Sequence, residues 1–176
     1  MNDKEIIKKW KGNWELICKN EKLSEEFIDK FKDKVYRNCI SKCQKLSEEF
    51  IEKYKDKVEW VWISECKKLS EEFIEKFKDK VDWYCISKYQ KLSEEFIEKY
   101  KDEVYWEWIS DHQTLSEEFI KKFKYYVNWY WISKYQKLSE KIIIAISFWD
   151  SYKCNFLSNC FSTGTEKRPE ADLYNK

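Results

Sequence analysis

The sequence predicts an all-α protein, a short α-solenoid of 23-residue repeats with two helices in each repeat. Three observations support this prediction: a spacing of 23 residues that recurs along the chain, a Ser-Glu-Glu helix start in each repeat, and only two glycines and one proline in 176 residues. Gly and Pro together usually make up about 12% of a protein. Their scarcity here leaves few residues for the tight turns of an all-β fold.

Leucines set the phase of the repeat, because they recur every 23 residues from Leu23 to Leu138. Stacked arrays require atypical end units, since each repeat contacts only its neighbours. The sequence is therefore divided into a degenerate N-terminal capping repeat, five tandem repeats, a degenerate C-terminal capping segment and a flexible tail. These are residues 1–23; 24–46, 47–69, 70–92, 93–115 and 116–138, which together make up 24–138; 139–161; and 162–176.

The front half of each repeat has the pattern of an amphipathic helix. In the first full repeat, Ser24 is a typical N-cap, and the two glutamates after it favour the positive end of the helix dipole. Phe27, Ile28, Phe31 and Val35 form one apolar stripe at helical spacing. Glutamate and lysine also recur four residues apart in the order that stabilises a helix, as Glu26–Lys30, Glu49–Lys53, Glu72–Lys76, Glu95–Lys99 and Glu118–Lys122.

The back half of each repeat permits two interpretations. Val58, Trp60 and Trp62 alternate with other residues as in a strand, which indicates a helix-plus-strand solenoid resembling leucine-rich repeats. Trp83 and Ile86, however, are spaced as in a helix, and Asp82 or Asn128 before the Trp is a plausible N-cap. The repeats also lack the leucine-rich consensus. We therefore predict two helices of about ten residues per repeat, with the strand as the alternative.

Composition and end segments indicate an intracellular protein with no membrane span. The net charge is +1 although 38% of residues are charged, so no strong field attracts nucleic acid or membrane. The N-terminus lacks an apolar signal segment, and the apolar stretch from Lys141 to Trp149 is too short to span a bilayer. This stretch is predicted to be a helix that closes the last repeat. Seven cysteines without a CxxC motif suit a reducing compartment.

Candidate chemical sites are few, and we predict no catalytic, cofactor-binding or metal-binding residues. Two glycines far apart exclude a Gly-rich phosphate loop. His112 is the only histidine, and equivalent positions of other repeats hold Cys or Tyr. The pairs Cys39/Cys43 and Cys154/Cys160 raise the possibility of structural zinc, but the second pair does not fit the usual ligand spacing. The cysteines therefore fit positions that accept Cys, Trp or Tyr.

The residues that vary between repeats point to a partner surface. They follow the Trp of each back half, and large aromatics there would form a row if the invariant stripe faces inward. The predicted partner-binding residues are Trp62, Tyr84, Trp108, Tyr130 and Trp131. In the simpler interpretation, these side chains pack between repeats. A third possibility is a single-strand nucleic-acid groove, in which bases stack on the aromatics and lysines contact phosphates. The lysines of that alternative are Lys55, Lys78 and Lys101.

The repeat sequence LSEEFI-x-KFKDKV-x-W-x-x-ISKYQK resembles that of tandem-repeat proteins of large DNA viruses, including giant viruses of amoebae. The resemblance is strong over 24–138 and weak over 1–23. Arg37, in place of the recurring Trp, and the sequence after Glu140 depart from it. It implies a viral protein that acts inside the infected cell, in the host cytoplasm or nucleus, without a known catalytic residue.

These observations together predict a non-enzymatic repeat scaffold that binds a host or viral protein. A nucleic-acid-binding array is the first alternative. A self-associating structural module, in which the apolar C-terminal segment docks on a second copy to form a homo-oligomer, is the second.

Overall fold

A computed structural model of the chain describes residues 2–149, and those residues form 13 helices and no strand. The prediction of two-helix repeats is thereby confirmed, and the helix-plus-strand alternative is wrong. The tail 162–176, most of the C-terminal capping segment, and the cysteines at 154 and 160 lie outside the described residues. The chain divides into two compact units, Met1–Gln113 and Thr114–Lys176.

Helices alternate regularly between front and back halves of the repeats. The first unit contains α1 (Asp3–Lys9), α2 (Trp14–Asn20), α3 (Glu25–Lys30), α4 (Arg37–Cys43), α5 (Glu48–Lys53), α6 (Trp60–Cys66), α7 (Glu71–Lys76), α8 (Trp83–Tyr89), α9 (Glu94–Lys99) and α10 (Trp106–His112). The second unit contains α11 (Glu117–Lys122), α12 (Trp129–Tyr135) and α13 (Glu140–Trp149).

The helices of the full repeats are shorter than the ten residues expected from the sequence, with six residues in each front helix and seven in each back helix. Ser70 Oγ accepts a hydrogen bond from the amide of Phe73 at 3.2 Å, which confirms the predicted N-cap. The helix ends at Lys76. Phe77 and Val81 belong to the following turn, where the amide of Val81 donates to the carbonyl of Phe77 at 3.0 Å. The apolar stripe therefore continues from the helix into a turn.

Back helices of the first unit pack side by side in one row, with α4 on α2, α6 on α4, α8 on α6 and α10 on α8. The caps predicted for two of the back helices form. Asp82 accepts from the amide of Cys85 at 2.8 Å, and Asn128 accepts from the amide of Trp131 at 3.4 Å. Each back helix places one isoleucine in the core, as predicted. Ile63, Ile86 and Ile109 have no exposed surface.

In four of the five full repeats, a glutamine makes a hydrogen bond to the repeat before it, and the second full repeat has Lys67 at this position. Gln90 donates to the backbone carbonyls of Ser64 and Lys67 at 2.7 and 2.6 Å and accepts from the amide of Leu69 at 3.0 Å. Gln44 and Gln113 make corresponding hydrogen bonds, and Gln136 accepts from the amide of Leu115 at 3.2 Å. We call these residues, with position 67, the glutamine ladder. It satisfies loop groups that helix hydrogen bonds do not reach.

Charged residues of the front helices also bond between repeats. Glu71 accepts from both the amide and the hydroxyl of Ser93, the next N-cap, at 2.5 and 2.9 Å. The lysines that lie four residues after a glutamate, such as Lys76 and Lys99, were predicted to pair with that glutamate on the same helix, but that prediction is wrong in the first unit. Lys76 binds Glu52 at 2.5 Å and Lys99 binds Glu75, both one repeat earlier. Stacking of the repeats brings side chains that are 24 positions apart in sequence into contact, and a prediction from one helix alone does not include such contacts.

The two ends of the described chain differ from the repeats between them. Between α1 and α2, Lys11 and Gly12 adopt positive φ angles of 50° and 72°, which replaces the longer turn of a full repeat. At the other end, α13 contributes Ile142, which is 2% exposed and packs against Trp129 and Leu138. The predicted closing helix thus contacts the last repeat.

Candidate interaction surface

An aromatic cluster lies on the back helices of the first unit, at and beside the variable positions. Tyr84 on α8 lies between two aromatic rings, with centroids 5.5 Å from Tyr105 and 5.5 Å from Trp108, both edge-to-face. Tyr84 and Trp108 lie two and one positions before a buried isoleucine of the same helix, Ile86 or Ile109, and Tyr105 directly precedes α10. The sequence predicted Tyr84 and Trp108 here, and it missed Tyr105, which precedes the invariant Trp and was assigned no role.

Lysines cover the faces of the tryptophans in this row. Lys88 Nζ lies 4.2 Å from the ring centroid of Trp108, and Lys42 Nζ lies 3.9 Å from that of Trp62. Each lysine belongs to the repeat before its tryptophan. Cation–π contacts of this kind contribute about 0.5–1 kcal/mol at exposed sites. We define the aromatic–lysine face of the first unit as Lys42, Trp62, Tyr84, Lys88, Tyr105 and Trp108.

The side chains of this face are neither all exposed, as a partner surface would predict, nor all buried between repeats, as the simpler interpretation would predict. Tyr84 is 42% exposed and Tyr105 is 50% exposed. Trp62 and Trp108 are half-buried, and Cys85, at the same repeat position, is buried. The face therefore presents apolar ring surface to solvent while its tryptophans are anchored in the row.

The second unit carries a similar cluster on α12. Trp131 stacks on Tyr135 with a centroid distance of 5.6 Å and an interplanar angle of 7°, and it meets Tyr130 at 4.7 Å. Lys134 Nζ lies within 5.7 Å of all three ring centroids. Hydrogen bonding to Tyr135 raises the pKa of the Lys134 ammonium, so it stays charged at neutral pH.

The invariant tryptophans at the start of the back helices have a different role. Trp60 packs on Phe73 and Phe77 of the next repeat, with centroids 6.3 and 5.1 Å away, and its Nε1 donates to the carbonyl of Lys55 at 2.9 Å. Trp83 makes the corresponding contacts with Phe96, Tyr100 and Lys78. These residues form part of the inter-repeat packing. Their invariance among four repeats was the signal for it.

The other candidate chemical groups among the described residues are His112 and the cysteines of the back helices. His112 rests edge-on against Trp108 with a centroid distance of 5.4 Å, and its Nδ1 lies 3.0 Å from the carboxylate of Asp111. Burial, together with the carboxylate of Asp82, raises the pKa of the Cys85 thiol to about 12. Within residues 2–149, no three His, Cys, Asp or Glu side chains are placed to hold a metal ion. Cys39 and Cys43 are free thiols.

Comparisons with protein-family models, curated proteins and solved structures find no match to this chain. Among the described residues, no helix combines the length and apolar character needed to cross a membrane.

Proposed function

We propose that the protein is a non-enzymatic scaffold that binds a protein partner through its aromatic–lysine face. The observation that carries this proposal is the cluster of the exposed Tyr84 and Tyr105 with the half-buried Trp108 beside Lys88. Clustered Tyr and Trp side chains supply most of the binding energy at many protein interfaces. The lysines around them favour a partner segment that presents carboxylates together with apolar side chains.

The same geometry disfavours the nucleic-acid alternative. Base stacking requires an open aromatic face, but ammonium groups already lie over the rings of Trp62 and Trp108 at 3.9 and 4.2 Å. An aspartate directly follows each of the lysines assigned to phosphate contacts, and the net charge of the chain is only +1. The chain therefore has little basic excess to drive counterion release.

The proposed setting follows the resemblance to repeat proteins of large DNA viruses. We place the protein inside an infected cell, in the host cytoplasm or nucleus, where it binds a host or viral protein. The repeat architecture supports a scaffold role, because stacked repeats present an extended surface whose variable positions change independently of the core.

Affinity capture with quantitative mass spectrometry tests the proposal. The double variant Trp62→Ser, Trp108→Ser, which truncates both tryptophans of this face, is expected to lose the main protein partner, since each truncated anchor costs about 2 kcal/mol or more of binding. Tyr125→Ser is the matched control, because Tyr125 is 81% exposed and lies outside the aromatic clusters. Circular dichroism of each variant checks that the helices remain.

Nuclease treatment and a lysine variant distinguish the alternatives. Retention of the partner by the double Trp variant contradicts the proposal. Loss of the partner after nuclease treatment, or on changing Lys55, Lys78 and Lys101 to Gln, indicates a nucleic-acid-binding array instead. Concentration-dependent dimerisation without another partner indicates the self-associating module.

A further inference from the structure

A cavity lies between the first two full repeats, at a position that a tryptophan fills elsewhere in the first unit. Position 37 is the only one of the five corresponding positions in the full repeats that is not Trp, and Arg37 occupies it with an exposed side chain. A cavity of about 280 Å³ lies beside it, and its walls include Arg37, Ile40, Phe50, Tyr54, Lys57 and Val58.

The neighbouring repeats show which group occupies the place of this cavity elsewhere in the chain. Trp83 places its indole ring 6.3 Å from Phe96 and 5.0 Å from Tyr100, and Trp60 and Trp14 are seated in the same way. Phe50 and Tyr54 form the equivalent ring pair, with centroids 4.7 Å apart. They provide the same aromatic wall without an indole against it.

Two residues of the cavity wall are less buried than the corresponding residues of the two later repeats. Val81 and Val104 are 7% and 6% exposed beneath their tryptophans, whereas Val58 beside Arg37 is half-buried. Likewise, Tyr100 is buried, and Tyr54 is half-buried. Phe31 and Val35, beneath Trp14, are also half-buried, so the contrast is with the two later repeats. Tyr54 and Val58 keep apolar surface that those two repeats bury, and covering it with a ligand is favourable.

The polar groups of the cavity favour a ligand that carries an N–H donor and a negative charge. The backbone carbonyls of Lys55 and Lys78 accept the indole N–H of Trp60 and Trp83 at 2.9 and 3.1 Å. Lys32, whose carbonyl is the equivalent acceptor, lines the cavity together with Arg37 and Lys57. Asp33 is the one acidic residue that lines the cavity, against these three basic residues, and this excess of basic residues favours an anionic substituent.

We propose that this cavity binds a small indole-type compound that carries a carboxylate. The ring takes the place of the missing tryptophan against Phe50 and Tyr54, its N–H donates to the Lys32 carbonyl, and its carboxylate meets the Arg37 guanidinium. The volume is near the lower end of small-molecule pockets, about 300 Å³, so one bicyclic ring fills it. This site is separate from the aromatic–lysine face and does not depend on the proposed function.

Titration with indole-3-acetate and with indole, followed by NMR and thermal denaturation, tests the proposal on the full chain. Indole-3-acetate is expected to bind with a Kd on the order of 1 mM or tighter, to shift Phe50 and Tyr54 signals, and to raise Tm. Arg37→Trp fills the cavity and is expected to abolish binding. Arg37→Gln retains the cavity and is expected to weaken indole-3-acetate about tenfold while leaving indole unchanged.

Specific results would overturn the proposal. They are the absence of Phe50 and Tyr54 shifts at about 10 mM of either compound, equal binding by Arg37→Trp, or shifts that map to Phe96 and Tyr100 instead. Equal binding of cyclohexylacetate also contradicts it, because the ring of that compound is not aromatic and carries no N–H. If Arg37→Trp fails to fold, the mapping on the unaltered chain decides the outcome. Binding of a Trp-containing peptide but of neither small compound would replace the proposed ligand with a protein segment.

Discussion

The side-chain amide of Gln90 donates a hydrogen bond to the backbone carbonyl of Lys67, one repeat earlier, over 2.6 Å. Lys67 itself occupies the glutamine-ladder position of its own repeat, where it is 8% exposed and donates to the carbonyl of Lys42 at 3.2 Å. An ammonium group has three donors and no acceptor. It therefore cannot receive the amide of Leu46, whereas Gln90 receives that of Leu69.

Lys67→Gln is expected to stabilise the protein by about 1–2 kcal/mol, because it restores an acceptor and removes a buried charge. Chemical denaturation of both proteins measures the difference. Lys68→Gln is the matched control, since Lys68 is exposed and its replacement should change stability by less than about 0.5 kcal/mol. Equal stability of Lys67→Gln and the unaltered chain would show that the ladder tolerates a lysine without cost.

The advantage of Lys67→Gln is expected to shrink as pH rises. Burial lowers the pKa of the Lys67 ammonium, so between that lowered value and the ordinary value of about 10.4 the unfolded chain binds more protons than the folded one. Stability of the unaltered chain relative to the variant therefore increases with pH across this window. Denaturation curves of both proteins from pH 7 to 10 check it, and a constant difference would contradict it.

Truncation of a core isoleucine should be far more costly than truncation of a surface lysine. Ile86 has no exposed surface, so Ile86→Ala is expected to destabilise by about 2–5 kcal/mol. Lys78 is exposed, and Lys78→Ala should stay within about 0.5 kcal/mol. Comparable losses in thermal or chemical denaturation would contradict the assignment of these two faces.

Thiol reactivity should separate the cysteines of the back helices. Burial and the neighbouring Asp82 raise the pKa of the Cys85 thiol to about 12, so at pH 8 the reactive thiolate is roughly one part in ten thousand. Iodoacetamide is expected to modify the exposed Cys43 first and to leave Cys85 intact, as read by peptide mass mapping. In denaturant both should react at similar rates, and early modification of Cys85 in the folded protein would count against its burial.

The sequence predicted the repeat phase, the Ser N-caps and the isoleucine core, because all three depend on local spacing. It overestimated the front helix because no Gly or Pro marks the point after Lys76 where the helix gives way to a turn. It missed the glutamine ladder, since a Gln next to lysines has the composition of a solvated surface. The lysine pairs were assigned within a helix for a similar reason: contacts between residues 24 apart exist only after the repeats stack.

The aromatic surface was predicted only in part. Tyr84 and Trp108 were identified by their variation among repeats, but Tyr105 precedes the recurring Trp and was assigned no role. The cation–π partners were missed because Lys88 belongs to the preceding repeat. The sequence pattern also showed that Arg37 was irregular, but the cavity beside it depends on whether the neighbouring side chains close over the gap.

Exchanging the residue types at two equivalent positions tests the packing role of the invariant tryptophan. Arg37→Trp is expected to stabilise by about 1–3 kcal/mol, because it covers apolar surface of the half-buried Tyr54 and Val58. Trp83→Arg is expected to destabilise by about 3–5 kcal/mol, as it removes a large ring packed on Phe96 and the hydrogen bond to the Lys78 carbonyl. The asymmetry arises because Phe50 and its neighbours already fold without the ring, whereas the later repeats are closed around theirs. Calorimetric melting of both variants measures the two shifts, and a loss of stability in Arg37→Trp would mean that the gap has already been accommodated by repacking.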